Sequence, residues 1–194
     1  MLRTAVLILA PLAAGCASHA PLATVESVDL ERFMGDWYVL AHVPVDVEVE
    51  AYNAVETYAL TEDGRIATTY SFRDGGFDGE LVTLEPIGTV VDAETNAEWG
   101  MQFLWPFEAE YLVTWLDAEY RTTIIARTRR DYAWIMAREP SLDAAEMQTL
   151  VDALAAQGYD LDELRRVPHR WPDPEHPRDR VEVGPGAVSP RPGA

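Results

Sequence analysis

The sequence predicts an all-β fold: an eight-stranded antiparallel up-and-down barrel with one C-terminal α-helix packed outside. Three observations predict it. From Trp37 onward, apolar and polar residues alternate with period two in eight successive runs. The links between the runs are short and rich in turn residues, which suits antiparallel neighbours and excludes crossovers. Near the C-terminus a single segment changes to helical period. Eight meandering strands close without exposed edges, and their interior is wide enough for one small ligand.

The runs fall at residues 36–43, 52–60, 65–73, 80–91, 97–105, 109–116, 120–127 and 132–138. Glu62-Asp63-Gly64 reads as a hairpin turn, and Asp74-Gly75-Gly76 as a break. Thr95-Asn96, Pro106-Phe107 and Asp117-Ala118-Glu119 separate the later strands. After Pro140, Ser141 is a suitable N-cap, and Met147, Leu150, Val151 and Leu154 form one apolar stripe. Asp143 and Glu146 suit the positive end of that helix, and Gly158 its stop. The Met/Leu stripe is read as packing.

Ahead of the barrel, residues 1–15 read as a secretory signal peptide: Arg3, an apolar stretch from Ala5 to Leu12, then Ala13-Ala14-Gly15. The stretch is too short to remain as a membrane-spanning helix. Ala14 and Gly15 directly precede Cys16, an arrangement that resembles the bacterial lipobox, although Leu12 stands one place further from the cysteine than usual. The expectation is a mature N-terminus at Cys16 carrying acyl chains such as palmitate, then a tether over 16–29. The other reading is an ordinary signal with an incidental cysteine. Ala17 carries no aspartate-type retention signal for the inner membrane, so the expected place is the outer membrane, lipid-anchored, on the periplasmic face. After Val167 the chain turns Pro- and Arg-rich, and 168–194 is expected to be disordered.

Composition removes several function classes. The chain has 194 residues with 33 acids and 15 bases, a net charge of -18. Residues 17–164 hold 29 of the acids and eight arginines, while 165–194 hold six arginines and four acids. Such a body repels nucleic acid and anionic surfaces, so no nucleic-acid partner is expected. Every base is arginine, which excludes a lysine Schiff base. Cys16 is the sole cysteine, so no internal disulfide can form. The histidines His19, His42, His169 and His176 have no metal-type spacing; neither a metal nor a cofactor is expected.

Three pieces converge on one end of the barrel. Gly35-Asp36-Trp37-Tyr38 opens the first strand, Asp117-Ala118-Glu119-Tyr120 turns between the sixth and seventh, and Arg138 ends the eighth. An arginine there can lie across the Trp37 indole and close the base, a cation–π contact. These pieces, in this order and with a helix behind them, resemble the lipocalin family. Within it, the likeness is to the bacterial outer-membrane lipocalins, relatives of apolipoprotein D. Phe103-Leu104-Trp105-Pro106-Phe107 and Arg130-Asp131-Tyr132-Ala133-Trp134-Ile135-Met136-Ala137-Arg138 share it. The resemblance covers roughly 30–167. The chain departs from animal relatives in lacking barrel disulfides, and its Arg-rich tail is extra. The resemblance implies binding and carriage of lipids, such as fatty acids or lysophospholipids, at the outer membrane, in envelope maintenance or stress. It makes Gly35, Trp37, Asp117, Tyr120 and Arg138 a structural base.

Alternation then proposes ligand contacts. Trp99, Met101, Phe103 and Trp105 share one face of their strand; Tyr111, Val113 and Trp115 share one face of the next. With these aromatic faces inward, Trp99, Met101, Phe103, Tyr111, Val113 and Trp115 line a cup. A one-residue slip would exchange them for Leu112 and Leu116. Tyr111, Arg73 or Arg127 could meet a headgroup. The loop Val45-Asp46-Val47-Glu48-Val49-Glu50 reads either as an acidic lid that disfavours anionic headgroups or as a plain solvated loop. No catalytic residue is expected, because the cysteine lies in the leader and His42 has no readable serine partner. Two alternatives to a binder remain: a structural envelope lipoprotein with a filled core, and an enzyme using the cavity.

Overall fold

The computed structural model describes residues 19–44, 48 and 50–179. The signal peptide and Cys16 lie outside the described residues, as do 180–194 of the tail. Nine strands follow one another: β1 (Gly35–Val43), β2 (Ala51–Leu60), β3 (Ile66–Asp74), β4 (Leu81–Leu84), β5 (Ile87–Val90), β6 (Glu98–Leu104), β7 (Phe107–Leu116), β8 (Thr122–Ala126) and β9 (Ala133–Ala137). All pairings are antiparallel, and β1 pairs with β9 to close the barrel. The run 80–91 forms two strands, both on β3, because Pro86 has no N–H for the ladder. Its carbonyl still accepts from Thr68 N at 3.1 Å. Taken as one interrupted stave, β4 and β5 keep the number at eight.

The period-two pattern divides the apolar residues between two cores. One fills the barrel and includes Trp37, Val39, Tyr58, Phe72, Trp99, Met101, Tyr111, Trp134 and Met136. The other lies outside, where Ala133, Ile135 and Ala137 of β9 meet the helix α2 (Ala144–Ala156). Met147, Leu150 and Leu154 are its buried stripe. Its N-cap is Asp143 rather than Ser141: the Asp143 carboxylate accepts from Glu146 N at 2.8 Å and adds a negative charge at the positive end of the helix dipole. Gly158 follows the helix with φ +88°.

Two elements were not foreseen. A one-turn helix, α1 (Leu30–Phe33), capped by Asp29, carries Phe33 beneath the barrel. The segment before it is also docked, with Val25 N bonded to Val113 O at 2.9 Å and Val28 N to Thr95 O at 2.7 Å. After α2, β10 (Arg165–Arg166) pairs with Ala41 and His42 of β1.

Residues 168–179, expected to be disordered, form a strap over the outer face of β1, β2 and β3. Asn53 N donates to Pro168 O at 2.9 Å, and its side chain bridges Arg170 and Asp173. Asp173 accepts two bonds from Arg73, at 3.0 and 2.7 Å. Trp171 packs edge-on against Tyr38. The Pro-rich composition signalled disorder, but a stiff chain loses little entropy on docking, and a few anchors hold it. Arg73 therefore points outward into the strap and not toward a ligand.

Candidate functional site

The base of the barrel is filled by aromatic side chains. Gly35 adopts φ +92°, a conformation open chiefly to glycine, and this turns the chain from α1 into β1. The Trp37 indole then points inward, donating to Phe33 O at 2.8 Å. The Arg138 guanidinium lies 3.8 Å from its ring centroid and donates to the carbonyls of Asp36, Arg32, Phe33 and Met34 at 2.7–3.0 Å. Desolvation lowers the Arg138 pKa to about 10, so the group stays charged at neutral pH. Asp117 caps its turn by accepting from Arg121 N and Thr122 N. That turn holds Tyr120 at φ 59°, with its hydroxyl accepting from Asp29 N at 2.8 Å. Gly35, Trp37, Asp117, Tyr120 and Arg138 thus meet at one sealed end.

Above the base lies a cavity of about 510 Å³. Its walls are Phe72, Val82, Leu84, Met101, Phe103, Ala109, Tyr111 and Trp134, an apolar surface of the size and character of a small-molecule site. The upper edge carries Glu110 and Arg127. Glu110 accepts from Thr128 N and its hydroxyl, and Arg127 stands 3.6 Å from Asp131. Beyond the wall the β6–β7 hairpin ends in Trp105 and Phe107, which are 80% and 72% exposed. Large apolar side chains at such exposure lie beside the open end.

The six expected lining residues separate. Met101, Phe103 and Tyr111 line the cavity. Trp99 lies lower, stacked on Tyr111 at 5.2 Å and edge-on to Phe33, with its indole N–H on Asn96 O. Val113 is likewise packed in the interior core, away from the cavity wall. Trp115 is on the outside, against the helix-side core. The register of β7 against β8 shifts between Val113 and Trp115, and that irregularity exchanges the faces beyond it. Of the two arginines considered for a headgroup, Arg127 lines the cavity and Arg73 does not.

Polar groups at the floor were missed by the sequence reading. Glu56, 1% exposed, lies beside Trp37 in the β1–β2 ladder. Tyr58 donates to its Oε2 at 2.5 Å, and the Tyr111 hydroxyl meets that of Tyr58, so Tyr111 is the donor there. Burial pushes the Glu56 carboxyl well above the usual range, against the Tyr58 hydrogen bond, and the neighbouring Glu48 adds to the rise. Burial likewise raises the Tyr58, Tyr70, Tyr111 and Tyr132 hydroxyls. Glu48 is 2% exposed and faces His42 Nδ1 at 3.9 Å, so this acid of the expected lid is turned inward. The rest of the lid, 45–47 and 49, lies outside the described residues. The signal for Glu56 was present: an acid between Ala54 and Tyr58 on an otherwise apolar face.

The fold and site find counterparts in known proteins. A family model described as a lipocalin-like domain matches residues 28–169. Temperature-induced lipocalin-1 of Arabidopsis thaliana is 27% identical over 165 residues, covering 78% of this chain and 84% of the relative. Outer membrane lipoprotein Blc of Escherichia coli K12 is 28% identical over 156 residues, covering 77% and 86%. Among solved structures, the cockroach allergen Per a 4 superposes with a TM-score of 0.59 at 22% identity, covering 79% of this chain and 96% of that one.

Proposed function

The chain belongs to the lipocalin family, whose members bind small hydrophobic ligands, and from that premise we propose that it binds and carries lipids in its barrel cavity at a bacterial outer membrane. The observation that carries this reading is the apolar cavity of about 510 Å³ above a sealed base. A structural lipoprotein with a filled core would have no reason to keep such a space, because unfilled apolar volume is destabilising. Binding and carriage, not catalysis, is the reading that the site favours.

The lipid would be a fatty acid, lysophospholipid or related amphiphile, with its chain against Phe72, Val82, Leu84 and Met101. Anchorage would come from acyl chains on Cys16, since each buried methylene contributes about 0.8 kcal/mol. The relative named outer membrane lipoprotein Blc supports the outer membrane as the location, and a role in envelope maintenance or stress would follow.

Two measurements test the proposal. Cys16→Ser should move the protein from the membrane fraction to the soluble fraction; a variant that stays membrane-bound overturns the anchor. Delipidated protein should then show saturable quenching of tryptophan fluorescence near one ligand per chain, because Trp134 lines the cavity. No response to fatty acids, lysophospholipids or neutral lipids would overturn the binding role.

A further inference from the structure

The floor of the cavity carries chemistry that holding a hydrocarbon chain does not need. Glu56 is fully buried, and only one of its carboxyl oxygens is used. The other, Oε1, has no hydrogen-bond partner among the described residues. A leucine on this face would fill the space without leaving an orphaned polar atom, so the acid is costly unless something meets it. The charged group that acts on Glu56 is a second acid, Glu48, rather than a base. Both acids act in turn on the Tyr70 and Tyr132 hydroxyls, which places them among the same rings.

Those rings form a cluster. Tyr70 lies 4.7 Å from Trp134, Trp134 lies 5.1 Å from Tyr132, and Tyr111 closes the site from β7 through its bond to Tyr58. Aromatic faces attract cations, most strongly where water is excluded. Arg127 sits at the upper edge and is matched by Asp131. Buried acids among ring faces suit a positive charge and repel a negative one.

We propose that the cavity floor receives the ammonium head of a cationic amphiphile, with Glu56 as counter-ion, Glu48 as the second acid, and the alkyl chain rising past Phe72 and Met101 toward the exposed Phe103. The inference rests on the reading of the barrel as a lipid-binding cup and narrows its amphiphiles to cationic ones, ahead of the fatty acids and lysophospholipids named above. It sets the head beside Glu56, with Glu48 reaching inward from the β1–β2 connection, and the chain toward Phe103. An anionic head is disfavoured there, because it would meet the carboxyls of Glu56 and Glu48. A phosphate beside the ammonium would meet the same acids and weaken binding.

Binding then moves a proton. Burial favours the protonated form of Glu56 in the empty cavity; an arriving ammonium favours the ionised form, and the proton released goes to solvent. The titratable groups around Glu56 are Tyr58 of its own strand, Tyr70 of β3, Tyr111 of β7, Tyr132 ahead of β9, and Glu48 with His42 of β1 beside it. The tyrosines stay neutral across the working range, so they release no proton.

The test uses full-length Cys16→Ser protein, delipidated, with three probes of equal chain length below their micelle concentrations: dodecyltrimethylammonium, dodecanol and dodecanoate. Calorimetry and tryptophan fluorescence give affinities, and calorimetry in buffers of different ionisation heat counts protons. The cation should bind at least tenfold tighter than either other probe. Up to one proton should leave per cation bound, and affinity should rise by up to about tenfold per pH unit over the range in which Glu56 is protonated in the free protein. Glu56→Gln should remove the proton release and most of the preference for the cation over dodecanol. Should that variant fail to fold, probe selectivity and proton count in the parent protein decide. Dodecanol or dodecanoate binding as tightly as the cation, or cation binding without proton release, overturns the inference and leaves lipid binding standing. Failure of all three probes to bind overturns both.

Discussion

Replacing Asp173 by asparagine should loosen the C-terminal strap by an amount that its ionisation predicts. Asp173 is 8% exposed, and hydrogen bonds from Arg73 are the main cause holding its pKa down at about 2, below the ordinary aspartate value of 3.8. Asparagine keeps the shape of the side chain but removes the charge and one of the two oxygens that accept from Arg73. The corresponding loss is ~2.4 kcal/mol at neutral pH. Solvent screening does not reduce it much at such burial, whereas the second acid on Arg73, Glu175, is exposed and adds little. The assay is hydrogen exchange at amides bonded between strap and barrel: Asn53 N to Pro168 O, and Arg170 N to the Asn53 side chain. Exchange through strap opening should quicken by about sixtyfold. The sign for pH follows from a depressed acid: its stabilisation is complete above about pH 4 and is lost as pH falls through about 2. Unchanged protection in Asp173→Asn at pH 7 would refute the reasoning and return this segment to a loosely held tail.

Two further outcomes follow from the same network and from the base. Burial lowers His169 to about 4, with its Nε2–H donated to Val39 O and its Nδ1 accepting from the Trp171 indole. The unfolded chain therefore binds this proton first, so strap protection should fall as pH drops from about 6.5 to 4, and His169→Gln should flatten that profile in hydrogen exchange. Arg138→Met removes three part-buried bonds, to Asp36 O, Phe33 O and Met34 O, together with the indole contact. It should destabilise the barrel by about 3–5 kcal/mol in denaturant unfolding; a loss below about 1 kcal/mol would mean that Arg138 does not hold the base.

The parts legible in the sequence were those set by strong local patterns. Period-two runs and turn residues gave the strands, and Gly35, Trp37, Asp117, Tyr120 and Arg138 gave the base. Pro86 could have split the fourth run, since proline leaves a ladder without a donor. The register shift past Val113 could not be read. Thr114 and its neighbours carry no glycine or proline, and either face of that strand offered large apolar residues. Trp115 was misplaced for that reason, as one irregularity inverts every later side chain. The strap was hidden by its composition: its anchors Asn53 and Arg73 are more than 90 residues away in sequence, and only the fold brings them to Asp173.

Trp37 divides two chemistries across one ring. Arg138 lies on one side of the indole and binds the carbonyls of α1 and β1. Glu56 lies in the adjacent ladder position on the cavity side. The carboxylate that acts on Arg138 is that of Asp36, and the acid that acts on Glu56 is Glu48, so Arg138 and Glu56 do not neutralise one another. This separation has a consequence for the site. Had the arginine reached the cavity, it would have held Glu56 as a carboxylate and made the floor a closed ion pair. Kept beyond the indole, it seals out water instead. Water exclusion is what raises Glu56, and an acid so raised can still be ionised by an arriving cation. The base residues thus shape the floor without touching a ligand, by setting how dry it is.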